Sequence, residues 1–159
     1  MNGFTENAAS GASEKPDRRD EPLTLETSRR MLPLVRRVVE DILQHRGRLS
    51  KLLPEQERLD RDRSTLAWPE RLRRYRLREE IAEAEHDLQD TLAELEVLGL
   101  ELVNPGEGRV GFPTIVNDQP AYFSWVPGEV DVAYWHFADE TLRRRVPASW
   151  RKSADRAAH

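Results

Sequence analysis

The stretch PERLRRYRLREEIAEAEHDLQDTLAELEVLGLELV, residues 69–103, decides the fold, because the apolar period changes inside it. Leu77, Ile81, Ala84, Leu88, Thr91, Leu95 and Leu98 recur at spacings of three and four. That is the stripe of an amphipathic helix. Pro69 and Glu70 suit its first turn, and Gly99 is placed to cap its end. The spacing predicts a helix over 70–98, roughly 40 Å long at ~1.5 Å per residue. From Leu100 onward apolar residues alternate with polar ones, the period of a strand.

Upstream, Leu25, Ser28, Leu32, Val35, Val39, Ile42, Arg46, Leu49 and Leu53 form a second stripe with heptad-like spacing. Thr24 suits its N-cap, and a helix over about 24–53 is predicted. Pro33 should kink or break it near Leu32, and Gly47 is a second weak point. PEQERLDRDRSTLAWPE, residues 54–70, lacks a sustained apolar period and reads as the connection. Two stripes of similar length joined by a reversal predict an antiparallel, coiled-coil-like helical hairpin, which dimerisation could double.

Downstream, LELV, RVGFPTIV, AYFSWV and VDVAYWH are separated by NPGEG, NDQP and PG. These are strands and turns of a small antiparallel β-meander over about 100–136. Pro113 should force a bulge or an edge position. Helices first and strands second make the chain α+β. One such domain occupies residues 23–150. Residues 1–22 and 151–159 are too polar to offset their ordering entropy and read as disordered tails.

The chain has 159 residues, of which 38% are hydrophobic and 34% charged, with a net charge of −4 and no cysteine. The missing cysteine excludes disulfides, thiolate nucleophiles and thiolate metal sites. No apolar run reaches the ~20 residues that span a bilayer, and no secretory signal opens the chain. A soluble cytoplasmic protein is the expectation. The charge is unevenly placed along the second helix. Arg71 to Arg78 contains five arginines, whereas Glu79 to Leu98 contains eight acids and no Lys or Arg. The tip of the hairpin, residues 46–78, carries a net +6. Arg74, Tyr75 and Arg78 are therefore the candidate anion-binding tip, for RNA or a membrane surface. The plainer reading is a solvated tip, or one docking on the acidic half of a second copy.

GEVDVAYWH, residues 128–136, is the place where chemistry could reside. If Pro127-Gly128 is a two-residue turn, Val126 faces Glu129, Trp125 faces Val130 and Phe123 faces Val132. Alternation then sorts Phe123, Trp125, Val132, Tyr134 and His136 onto one face, and Glu129, Asp131 and Trp135 onto the other. His136 has the wrong parity to join the two acids, so neither a metal nor a cofactor is expected. Phosphate-binding glycine loops, nucleophile elbows and the HExxH zinc motif are missing from the sequence.

Several pieces together resemble a bacterial family of uncharacterised proteins, domain of unknown function 2203. They are LTLETSRRMLPLVRRVVEDI near the start, then Gly99-Leu100-Glu101-Leu102, Phe112-Pro113, Trp125, Gly128-Glu129, Tyr134-Trp135-His136, Asp139 and Arg145-x-Pro147. The chain departs from that pattern at Gly111, where Asp is expected, and at Thr141 and Arg144, where Gly is expected. The resemblance implies a helical hairpin with a β end in a bacterial cytoplasmic protein, and no activity, cofactor or catalytic residue. It also draws in Arg145, which could fold back to Glu129 or Asp131. Two readings of the corner Trp125, Glu129, Trp135, His136 and Arg145 follow. It is either a guanidinium–carboxylate clamp or a pocket for a small anionic ligand or acid/base chemistry. The favoured function is non-enzymatic: a self-associating, dimeric or partner-docking module using the helical hairpin.

Overall fold

The computed structural model describes residues 21–150. The disorder expected of 1–22 and 151–159 falls almost wholly outside them. Two helices, α1 (Leu25–Arg61) and α2 (Trp68–Val97), precede five strands. These are β1 (Glu101–Asn104), β2 (Arg109–Val116), β3 (Gln119–Trp125), β4 (Tyr134–Phe137) and β5 (Arg144–Arg145). The strands form one antiparallel sheet in chain order. The α+β architecture, with a helical hairpin followed by a meander, is as predicted.

Thr24 caps α1, its hydroxyl accepting from the Thr27 N–H at 3.1 Å. The helix then runs unbroken through Pro33, Gly47 and Pro54 to Arg61. The break expected near Leu32 does not occur, and the connection is residues 62–67 instead of 54–70. Burial explains both corrections. Leu32, Val35, Val38, Val39 and Ile42 are buried around Pro33, and Leu59 is buried beyond Pro54. Each such side chain contributes about 1.5–3 kcal/mol, enough together to outweigh the ~3 kcal/mol cost of a helical proline. The inner face also shifts along α1. Arg46 and Leu53 are exposed, and Leu49, Leu52 and Leu59 take the contact with α2. On α2 the predicted stripe holds: Leu77, Ile81, Ala84, Thr91 and Leu95 are buried, with Leu88 and Leu98 packed beside them. Gly99 adopts φ +78°, a left-handed conformation that lets the Leu100 N–H reach back to the Leu95 carbonyl at 3.2 Å.

Two apolar clusters result. In the larger, Val110, Phe112, Ala121, Phe123, Trp125 and Trp135 of the sheet pack on Leu25 to Ile42 of α1 and on Leu95. In the smaller, Leu59 and Leu66 meet Leu77 and Ile81, with no sheet residue among them. The distal half of the hairpin is thus an arm with a core of its own. Pro113 lies on the part of β2 beyond its pairing with β1, an edge position as expected, and its carbonyl accepts the Leu23 N–H at 2.8 Å. Among the described residues no helix is long and apolar enough to cross a membrane.

The β3–β4 register corrects the expected hairpin. Phe123 pairs with Trp135 instead of Val132, and Tyr122 pairs with His136. Pro127-Gly128 does form a turn, closed by the Glu129 N–H donating to the Val126 carbonyl at 3.1 Å, but it lies within a longer loop over 126–133 and does not join the strands directly. The slip is odd-numbered, so it exchanges the faces of β4. Trp135 is in the core, and His136 joins Tyr122 and Ser124 on the outer face.

Candidate functional site

Polar side chains build the 126–133 loop. The Glu129 carboxylate accepts the Val126 N–H at 2.8 Å, while the Glu129 carbonyl accepts the Trp125 indole N–H at 3.0 Å. Asp131 accepts the Val132 N–H at 2.8 Å. From α1, Arg29 donates to the Val132 carbonyl at 3.0 and 3.2 Å and pairs with Asp131 at 3.2 Å. Arg36 donates to the Val130 carbonyl. The loop is therefore laced to the first helix as well as to itself, which satisfies backbone groups that a tight hairpin would have paired across strands.

Arg143 completes this corner. Its guanidinium donates to both Glu129 carboxylate oxygens, at 2.6 and 3.2 Å. It also donates to the Ser124 hydroxyl at 2.8 Å and the Ser124 carbonyl at 3.1 Å, and it lies 4.4 Å from the centre of the Tyr134 ring. All of this takes place on the outer face of β3 and β4. Arg145, expected to meet Glu129 or Asp131, is instead exposed on β5 opposite Tyr134. The sequence offered three successive arginines, 143 to 145, and only the path of the chain after β4 selects the first.

The predicted corner residues do not converge. Trp125 and Trp135 point into the core, and Trp135 packs edge-on against Phe137 at 4.9 Å. His136 is 4% exposed; its Nδ1–H donates to the Phe137 carbonyl at 2.8 Å, and its ring tilts over Tyr122 at 5.6 Å. Tyr122 in turn donates to Glu101 at 2.6 Å, and burial with the Glu101 carboxylate pushes its phenol up to about 12. The hollow beside Glu129, about 320 Å³, is lined by Arg36, Val39, Leu43, Trp125 and Pro127 and reaches neither His136 nor Arg145. Asp139 is exposed. Chemically, the corner is a closed ion pair between two charged groups that satisfy each other.

At the hairpin tip the arginines divide into two sets. Arg73 donates to Glu55 at 2.8 and 2.9 Å and to Glu80 at 3.1 Å, which raises its own pKa and lowers that of Glu55. Arg74 is bonded to Asp60 at 2.7 Å. Both therefore fasten α2 to the end of α1, Arg74 through its Nε. Tyr75, 63% exposed, and Arg78 face outward.

They belong to a surface that periodicity could have disclosed. Trp68, Leu72, Tyr75, Glu79, Ala82, His86, Gln89 and Ala93 recur at alternating spacings of four and three, and all are exposed. This is a second heptad-like stripe on α2, on the side away from Leu77, Ile81 and Ala84. Its tip end is apolar, with Trp68 73% exposed. Arg71, Arg76 and Arg78 flank its first half, and Glu83, Glu85 and Asp90 flank its second.

A family model described as uncharacterized conserved protein (DUF2203) matches residues 23–148. No curated protein and no solved structure matches the chain.

Proposed function

We infer, for a chain that belongs to the uncharacterized conserved protein family DUF2203, that its work is self-association. Two copies lay the outer faces of α2 together, antiparallel, and each β sheet serves as the rigid base of its arm. The observation that carries this reading is the reversal of charge halfway along the exposed stripe, from Arg71, Arg76 and Arg78 to Glu83, Glu85 and Asp90. A parallel pair would set arginine against arginine. An antiparallel pair sets each basic half against an acidic half, so charge selects both the partner and the orientation. Trp68, Leu72 and Tyr75 supply the apolar surface that drives contact.

The size of the surface sets the class of contact. A helix of 30 residues is roughly 45 Å long and about 10 Å wide. The strip on both copies together then covers about 900 Å², among weak and transient interfaces, so pairing is reversible. Sedimentation equilibrium of the full chain should show a monomer–dimer equilibrium that weakens as salt is raised, because exposed pairs are screened. Arg76→Glu with Arg78→Glu should weaken it at least tenfold. Adding Glu83→Arg and Glu85→Arg to that variant should restore it, since the charge pattern is then exchanged as a whole. A chain that stays monomeric up to millimolar concentration at low salt overturns the reading.

A further inference from the structure

The outer stripe of α2 has a histidine and a carboxylate near its middle, His86 and Glu79, where a coiled-coil seam normally has apolar residues. Their place in the antiparallel pair follows from packing the stripe knobs into holes. The register sets Trp68 over Ala93 of the second copy, Leu72 beside its Gln89, Tyr75 beside its His86, and Glu79 beside its Ala82. Arg76 then meets the second copy's Glu83 and Arg78 its Glu85, each twice by symmetry. A slide of one heptad in one direction opposes Arg76 to Arg76 and Arg78 to Arg78. A slide in the other opposes Glu83 to Glu83 and Glu85 to Glu85. Each slid register also gains two opposite pairs, Arg71 with Glu85 or Arg76 with Asp90, which only offset its two like pairs, whereas the first register has four opposite pairs and is favoured.

In that register the two Glu79 side chains lie one helical turn apart near the two-fold axis, and each is one turn from the second copy's His86. Packing them there removes water from two like charges, which is costly unless a cation joins them. The groups facing His86 are acidic from both sides: Glu83 and Asp90 of its own helix, with Asp90 at 3.4 Å, and Glu79 of the second copy. Tyr75 of the second copy covers the ring, and Arg76 and Arg78 at the rim are the opposing cations. Nothing from α1 faces it, because the stripe is on the far side of α2.

We propose that pairing is proton-linked through His86: the imidazolium of each copy settles beside Glu79 of the other, and association tightens as pH falls. This rests on the self-association reading above. The sign follows directly. The Glu79 carboxylate supplied by the second copy favours the charged imidazole, so protons bind as dimers form and acidification drives pairing.

The experiment is sedimentation equilibrium of the full chain at constant ionic strength from pH 8 to pH 6. Wild type, His86→Gln and Glu79→Gln are compared. Wild type should tighten at least about tenfold toward pH 6. His86→Gln should pair with a dissociation constant that does not change across the range, which excludes the other histidines as the source. Glu79→Gln should pair more tightly than wild type at pH 8 and respond less to pH. A wild-type dimer whose affinity is flat or falls on acidification overturns the proton linkage and leaves the pairing standing. So does a His86→Gln dimer that keeps the full response. A chain that is monomeric at every pH overturns the pairing itself.

Discussion

At Gly111 a single missing methyl group shapes the outer face of the sheet. A Cβ placed there would lie 2.7 Å from the Tyr122 ring and 2.9 Å from the Val103 side chain. The aspartate that the family resemblance leads one to expect is therefore incompatible with the present position of Tyr122. Gly111→Ala should destabilise the fold by about 1–3 kcal/mol in denaturant unfolding, the usual range for overpacking. Tyr122 itself gives the protein an alkaline limit. Its pKa is raised to about 12 from the ordinary 10.0, so the neutral phenol is the form that the folded state favours. That contribution is intact below about pH 10 and is lost as pH rises through the folded value. Unfolding titrations between pH 9 and 12 should show the decline, and Tyr122→Phe should flatten it. The Glu129–Arg143 pair is mostly buried on both sides, 22% and 17% exposed. Glu129→Gln or Arg143→Met should cost about 2–4 kcal/mol by stranding the remaining charge. Arg143→Lys should not rescue it, since a lysine cannot reach Glu129 and Ser124 as a fork.

Among the elements, α1 is longer than its own local signals allow. Pro54 is exposed and contributes no N–H to the helix, so its ring weakens the arm without a packing return. Pro54→Ala should stabilise the protein by about 1–3 kcal/mol in thermal or denaturant unfolding. A result near zero would mean that the Ser50 carbonyl, which loses its helical donor to the proline, is already well served by water. The continuation past Pro54 is legible once α2 is placed beside it: Glu55 answers Arg73, Asp60 answers Arg74, and Leu59 completes the cluster with Leu77 and Ile81. None of these contacts is local, so a reading of spacing and breakers ends the helix too early. α2 is the opposite case. Its inner stripe is legible because spacings of three and four hold without a break from Leu77 to Leu98, which leaves little else for the chain to form.

For the molecule as a whole, the division into two clusters predicts unequal stability. The arm holds four buried apolar side chains, Leu59, Leu66, Leu77 and Ile81. The base stacks a sheet on the proximal helices. Amide exchange should therefore be faster over residues 49–81 than over 32–42 and the β2–β3 ladder, as expected of a unit that opens below the global unfolding energy. Protein concentration should narrow that difference if the outer face of α2 is covered by a second copy. The sequence by itself determined the α+β class, the helical hairpin and the meander, because amphipathic period, caps and turn residues act over a few neighbouring residues. Tertiary structure alone decided three things: how far α1 continues, the β3–β4 register, and the choice of Arg143 over Arg145 as the partner of Glu129. Each depends on groups brought together from distant parts of the chain. In a sheet a shift of one residue reverses every face, so an error in one loop moves each side chain that follows it.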